Sequence, residues 1–105
     1  MREIAVLYTT IGSLQDAEKL AKQMVTEEYA ACVNIIPNAL SIYAWEGNVE
    51  QSSECLIIFK TDISKVKNLQ ERIMSEHPYT VPAILQGNIN ASSDFYQFIK
   101  NYTAP

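Results

Sequence analysis

The chain is poor in the residues from which most small catalytic and cofactor sites are built. It carries one histidine, two cysteines and three glycines, which excludes most nucleophilic triads and glycine-rich nucleotide loops. No C-x-x-C or H-E-x-x-H spacing occurs, so a structural zinc site is not expected. Lys and Arg form no run, and the net charge of −4 with a pI near 4.8 opposes approach to phosphate. Nucleic acid and anionic membrane surfaces are therefore excluded as partners. The first residues, MREIAVLYTT, lack the basic, long apolar and small-residue regions of a secretory signal, and their apolar run is too short to span a bilayer. The expectation is a soluble, cytoplasmic protein.

What the chain does have is one long β-ribbon. Tyr29 to Thr61 reads as two extended strands folded back at Glu46-Gly47-Asn48. Between Ala39 and Trp45 an aliphatic set (Leu40, Ile42, Ala44) alternates with one carrying Tyr43 and Trp45, and the return run Glu54 to Lys60 is nearly all apolar. At about 3.3 Å per residue, arms of about a dozen residues make a ribbon roughly 40 Å long. A domain of 105 residues and 11.8 kDa cannot bury such a ribbon alone. An exposed apolar edge of that length invites aggregation, so another copy of the chain is expected to cover it.

The flanking segments complete a single domain over residues 1–105. Glu3 to Thr10 reads as a first, central strand. Ser13 with Asp16 forms a capping-box pattern before a helix carrying Leu14, Ala17, Leu20, Ala21, Met24 and Val25 at helical spacing. Thr61 or Asp62 caps a second helix, with Val66, Leu69 and Ile73 inward and Lys65, Lys67, Gln70 and Glu71 wet, ended by Pro78. Val81 to Ile89 reads as a fourth strand. Ser92 or Ser93 begins a last helix with a stripe of Phe95, Phe98, Ile99 and Tyr102. The order β-α-β-β-α-β plus a C-terminal helix predicts an α+β, ferredoxin-like split βαβ fold with both crossover helices on one sheet face. The other face, with Tyr43 and Trp45, is then left for a partner subunit.

Individual residues are ambiguous on their own. His77 reads either as a helix-terminal histidine or as a metal or small-molecule contact at a subunit boundary. Cys32 and Cys55 read as buried thiols. A turn at Gly47-Asn48 sets Cys55 opposite Leu40, about 26 Å along the strand from Cys32, so no disulfide is expected. Lys60 reads as a strand-end lysine or an anion contact beside Glu54 or Tyr79, and Trp45 as subunit packing or a ligand platform.

Taken together, Ala30-Ala31-Cys32-Val33-Asn34-Ile35-Ile36-Pro37, Ser41-Ile42-Tyr43-Ala44-Trp45-Glu46-Gly47, Lys60-Thr61 and His77-Pro78-Tyr79 with Pro82 resemble the CutA divalent-cation tolerance proteins over nearly the whole chain. The resemblance implies a homotrimer with interlocked long strands, architecturally similar to the PII signalling proteins. It implies a role in tolerance to divalent metals, copper in particular; no required cofactor is expected, and the thin inventory of catalytic groups gives a small enzyme the least support. His77 and Cys32 match the family's HPY and AACxN motifs. Tyr8 stands where some members carry Cys, and Glu76 where some carry a second His, so Tyr8, Glu76 and His77 form a harder donor set. Ala83 replaces a common Glu, and Phe95 and Phe98 replace the usual Tyr and Trp. The second reading is a PII-like metabolite or protein-binding module using clefts between subunits, where Cys32, Tyr43, Trp45, Lys60 and Tyr79 are candidate contacts.

Overall fold

The structure is a computed structural model, and it describes residues 1–103. Four strands and three α-helices follow one another as β1 (Arg2–Ile11), α1 (Leu14–Thr26), β2 (Cys32–Trp45), β3 (Asn48–Thr61), α2 (Val66–Glu76), β4 (Ile84–Ala91) and α3 (Ser93–Asn101), with a 3-10 turn at Ile63–Lys65 leading into α2. The sheet order is β2-β3-β1-β4 and every neighbouring pair is antiparallel. This is the ferredoxin-like arrangement, with β1 central as expected and β3 beside it.

Strand pairing divides the sheet residues between two faces, because partners directly opposite share a face. Ala5, Leu7, Thr9 and Ile11 on β1 lie beside Thr61, Phe59, Ile57 and Cys55 on β3, and all eight are buried. With Ala17, Leu20, Met24, Leu69 and Ile73 from α1 and α2, these strands form the main core. Burying Phe59, Leu7 and their neighbours supplies most of the folding free energy, at about 1.5–3 kcal/mol per large apolar side chain. The opposite face carries Val6, Tyr8, Ile58 and Leu56, which are only half-buried. At one end of that face α3 packs a smaller cluster of Ile4, Ala91 and Ile99.

Local chemistry explains the element boundaries. Ser13 Oγ accepts the Asp16 amide at 3.1 Å, the forward half of the expected capping box. After α1, Glu28 turns the chain in the left-handed region, with φ 64°. His77 caps α2 in an extended conformation, φ −73° and ψ 130°, as a residue before proline must. Asp62 caps the 3-10 turn rather than α2, its side chain accepting the Ser64 amide at 3.1 Å, while the Thr61 hydroxyl donates to the Tyr29 carbonyl at 2.7 Å.

Four expectations need correction. Lys65 is buried rather than wet, because it lies in the tighter 3-10 turn and so falls out of phase with α2. The fourth strand starts at Ile84 rather than Val81; Pro82 has no N–H to give a ladder, and pairing with β1 begins at Thr9 opposite Ile84. The last helix does not bury its whole stripe: Ile99 is buried, whereas Phe98 and Tyr102 remain exposed. The hairpin register differs by two residues in the overhang, with Leu40 opposite Ser53, and by three beyond the bulge, with Cys32 opposite Lys60. Its turn holds only Glu46 and Gly47, both with positive φ (49° and 81°), which is the twist a two-residue hairpin turn requires. Both cysteines are free.

The hairpin dominates the shape. Each arm has 14 residues, and residues 39–45 and 48–54 pair only with each other beyond the end of β1. A bulge separates this overhang from the sheet: the register shifts between Ile36 and Ala39, with Asn38 at φ 62°, a conformation asparagine tolerates.

Candidate functional site

The overhang and the segment between α2 and β4 enclose a groove of about 720 Å³ on the half-open sheet face, a volume usual for a small-molecule site. Its walls include Tyr8 from β1, Tyr43 and Trp45 from β2, and Tyr79 with Val81 from the connecting segment. Tyr43 and Trp45 reach it because they sit on the face opposite Leu40 and Ile42, as the alternation requires.

At its floor is Glu54, 8% exposed, paired with Ala39 across the ladder. The Tyr79 hydroxyl donates to its carboxylate at 2.7 Å, and the Ser41 and Thr10 hydroxyls are close enough to favour its charged form. Burial pushes this carboxyl up, but the Ser41, Tyr79 and Thr10 hydroxyls, with a smaller contribution from His77, together outweigh it and hold Glu54 below the ordinary carboxylate value. Tyr79 moves the opposite way: burial first, then the bond to Glu54, raises its phenol above the usual range. The pair is therefore a carboxylate and a neutral phenol at physiological pH. Elsewhere among the described residues Arg72 forms ion pairs with Glu27 and Glu76, and Lys100 with Asp62; Glu54 belongs to none of these.

His77 supports this floor from behind. Its Nε2 lies 2.8 Å from the Thr10 carbonyl and 3.0 Å from the Thr9 hydroxyl, and its Nδ1 accepts the Tyr79 amide at 3.2 Å. A carbonyl only accepts, so Nε2 carries a proton. The imidazole ties β1 to the loop that presents Tyr79, whose ring it meets edge-on at 4.8 Å. Gly12 completes the fit, since a Cβ there would lie 3.3 Å from the Tyr79 hydroxyl.

The structure thus gathers Tyr8, Tyr43, Trp45 and Tyr79 in one groove, with His77 adjoining it. It does not gather the other expected contacts. Lys60 and Cys32 lie opposite each other at the far end of the sheet, where the Lys60 ammonium sits 5.6 Å from the Phe95 ring centre and the Cys32 thiol is 4.0 Å from Asn34 Oδ1. Glu76 points to Arg72, at 2.9 Å. Among the described residues no group of three or more His, Cys, Asp or Glu is placed to hold a metal ion, and both His77 nitrogens are engaged, so one copy offers no ready pocket for a resident metal. Sequence reasoning named Glu54 only as a neighbour of Lys60 and missed Thr10 and Ser41 as groove residues. The available signal was the carboxylate opening the nearly apolar run Glu54 to Lys60.

A ferredoxin-like domain with an overlong β2–β3 hairpin and a groove at its base defines a class of small α+β proteins. Solved structures share the fold: CutA1 from Ehrlichia chaffeensis matches with a TM-score of 0.94 at 35% identity, covering 100% of this chain and 99% of that one. CutA1 from Thermus thermophilus matches with a TM-score of 0.89 at 38% identity, covering 98% and 100%. The CutA1 divalent ion tolerance protein family matches residues 5–102, and the chain belongs to that family. Among curated relatives, the chloroplastic protein CutA of Arabidopsis thaliana is 41% identical over 93% of this chain, and this chain spans only 54% of its length. The divalent-cation tolerance protein CutA of Thermus thermophilus is 42% identical over 81% of each chain. No helix among the described residues is long and apolar enough to cross a membrane.

Proposed function

We propose that the chain works as a cytoplasmic homotrimer in tolerance to divalent cations, copper in particular, by binding rather than catalysis. The observation that carries this reading is the hairpin overhang: Leu40, Ile42 and Val49 stand 64%, 65% and 81% exposed on one of its faces. Such a stripe needs a protein neighbour, and interlocked copies of one chain supply it with closed symmetry. The family membership and the names of its relatives support the cation role.

The cation is a cargo, met at a boundary between copies by Tyr8, Glu76 and His77. Contact costs an existing bond at two of these: His77 must release Thr10 or Tyr79, and Glu76 must leave Arg72. Affinity is therefore low and exchangeable, and the donors are mostly oxygen, a harder set than copper prefers. Calorimetric titration of the purified protein with Cu²⁺ tests this, beside His77→Ala and Glu76→Gln variants of unchanged mass. Weak saturable binding that falls in both variants is expected; equal, negligible heats from all three proteins remove the metal role and leave only the assembly.

A further inference from the structure

Arg72 stands on α2 in the helix layer, away from the open sheet face, and its guanidinium is divided between two carboxylates. Nε and Nη2 donate to the two oxygens of Glu27, which caps the end of α1, at 3.0 and 2.9 Å. Nη1 donates to Glu76 at 2.9 Å and to the Ser75 hydroxyl at 3.1 Å. The two-point bond to Glu27 is the geometry that a planar guanidinium makes best, and it holds the Glu27 carboxyl below its ordinary value. Glu76 has only the third nitrogen. A cation that takes Glu76 therefore leaves the fork on Glu27 intact, and Nη1 keeps the Ser75 hydroxyl as an acceptor. The hydrogen freed on Nη1 meets water, because the Arg72 side chain is 27% exposed. Exchange at Glu76 costs one bond and strands no donor.

We propose that Arg72 is a displaceable stand-in cation for the contact made by Glu76 and His77, and that Glu27 sets how firmly it occupies Glu76. The inference rests on the reading of those two residues as cation contacts. A guanidinium and a divalent ion compete for the same carboxylate, and the positive charge left beside the contact also opposes the second one. Both effects lower affinity, so Arg72 keeps the contact exchangeable. Glu27 acts in the opposite sense: by holding two of the guanidinium nitrogens it draws Arg72 toward the end of α1 and offsets its charge. Without Glu27, Arg72 turns wholly to Glu76 and the cation meets a stronger rival. Linkage makes the coupling reciprocal, so a cation bound at Glu76 leaves Arg72 to Glu27 and strengthens the tie between α1 and α2. All three side chains are partly exposed, so each effect is modest.

Calorimetric titration with Cu²⁺ of the native protein, Arg72→Met, Glu27→Gln and the double variant tests the assignment. Arg72→Met is expected to bind about two- to fivefold more tightly than the native chain, and Glu27→Gln more weakly by a similar factor. In the double variant the Glu27 change should add nothing to Arg72→Met, because it acts through the guanidinium. A merely structural role for Arg72 would not raise affinity. Unfolding the same four proteins in urea without copper supplies a readout free of the metal, and there too the two changes should be non-additive. If Arg72→Met does not fold, Arg72→Gln takes its place. The proposal is overturned if the Arg72 variant binds no more tightly than the native protein, or if the costs in urea simply add. It is also overturned if Glu27→Gln weakens binding equally with and without Arg72, the mark of a general charge effect. Copper binding by the native protein with no response to Arg72 removes this inference and leaves the cation reading standing; absence of binding by all four proteins removes both.

Discussion

At the scale of single residues, the Glu54–Tyr79 bond is the interaction whose loss is easiest to read. Tyr79→Phe removes the hydroxyl and keeps the ring, leaving a buried carboxylate with one donor fewer. A hydrogen bond to a charged group contributes about 1.5–3 kcal/mol, so urea unfolding at fixed protein concentration should show a loss in that range. In the Glu54→Gln background the same change should cost clearly less, and equal costs in both backgrounds would mean that the two side chains are not coupled. The pH dependence follows from the sign of the shift. Glu54 is held below its ordinary value of 4.5, so the folded state binds a proton less readily than the unfolded one. Its contribution is full above the ordinary carboxylate range and is lost as pH falls through its own, lower value. Glu54→Gln should therefore flatten the decline in stability below about pH 4.5 while changing the slope near neutrality little; an unaltered acid limb would place the titrating group elsewhere.

At the scale of elements, the alternation along the strands was legible because the β period is two and one face is buried. It placed Tyr43 and Trp45 together, away from Leu40 and Ile42, and the capping signals at Ser13 and Pro78 fixed two helix ends. The hairpin register was not legible, because Asn48 is as good a turn residue as Gly47 and only the positive φ of both Glu46 and Gly47 distinguishes a two-residue turn. The bulge at Pro37–Asn38 also escaped, since an inserted residue leaves no periodic mark in so short a run. The groove floor was hidden for a different reason: Glu54 and Tyr79 are 25 positions apart, and their contact depends on how the α2–β4 segment crosses the sheet. The turn itself can be tested. A Cβ at Gly47 meets nothing within 4 Å and its φ is +81°, so a substitution there strains only the backbone. Gly47→Val should destabilise by about 1–3 kcal/mol in thermal or urea melts, whereas Gly47→Asn should recover most of that, because asparagine visits this region. Equal losses would show that the turn does not control the register.

At the scale of the whole molecule, the principal dimensions of 45 × 25 × 22 Å and the radius of gyration of 14.3 Å describe a compact body with a projecting arm; a compact chain of this length has about 13 Å. The main core lies in the body, with Leu7, Phe59, Ile57, Leu69 and Ile73, and none of the overhang's aliphatic side chains contributes to it. Folding of one copy and the proposed association of several thus rest on different residues, and mutation can separate them. Paired Leu40→Asp and Ile42→Asp changes put charges on the exposed stripe without touching the core, and Trp45→Asp does the same on the groove side. On the proposed trimer, light scattering should show the mass falling toward that of a single chain in both, while circular dichroism of the body is retained. Lys22→Asp on the exposed face of α1 is the control and should leave the mass unchanged. Trimers that survive charges on both faces of the hairpin would mean that the copies meet through the body alone, and that the overhang serves some other neighbour.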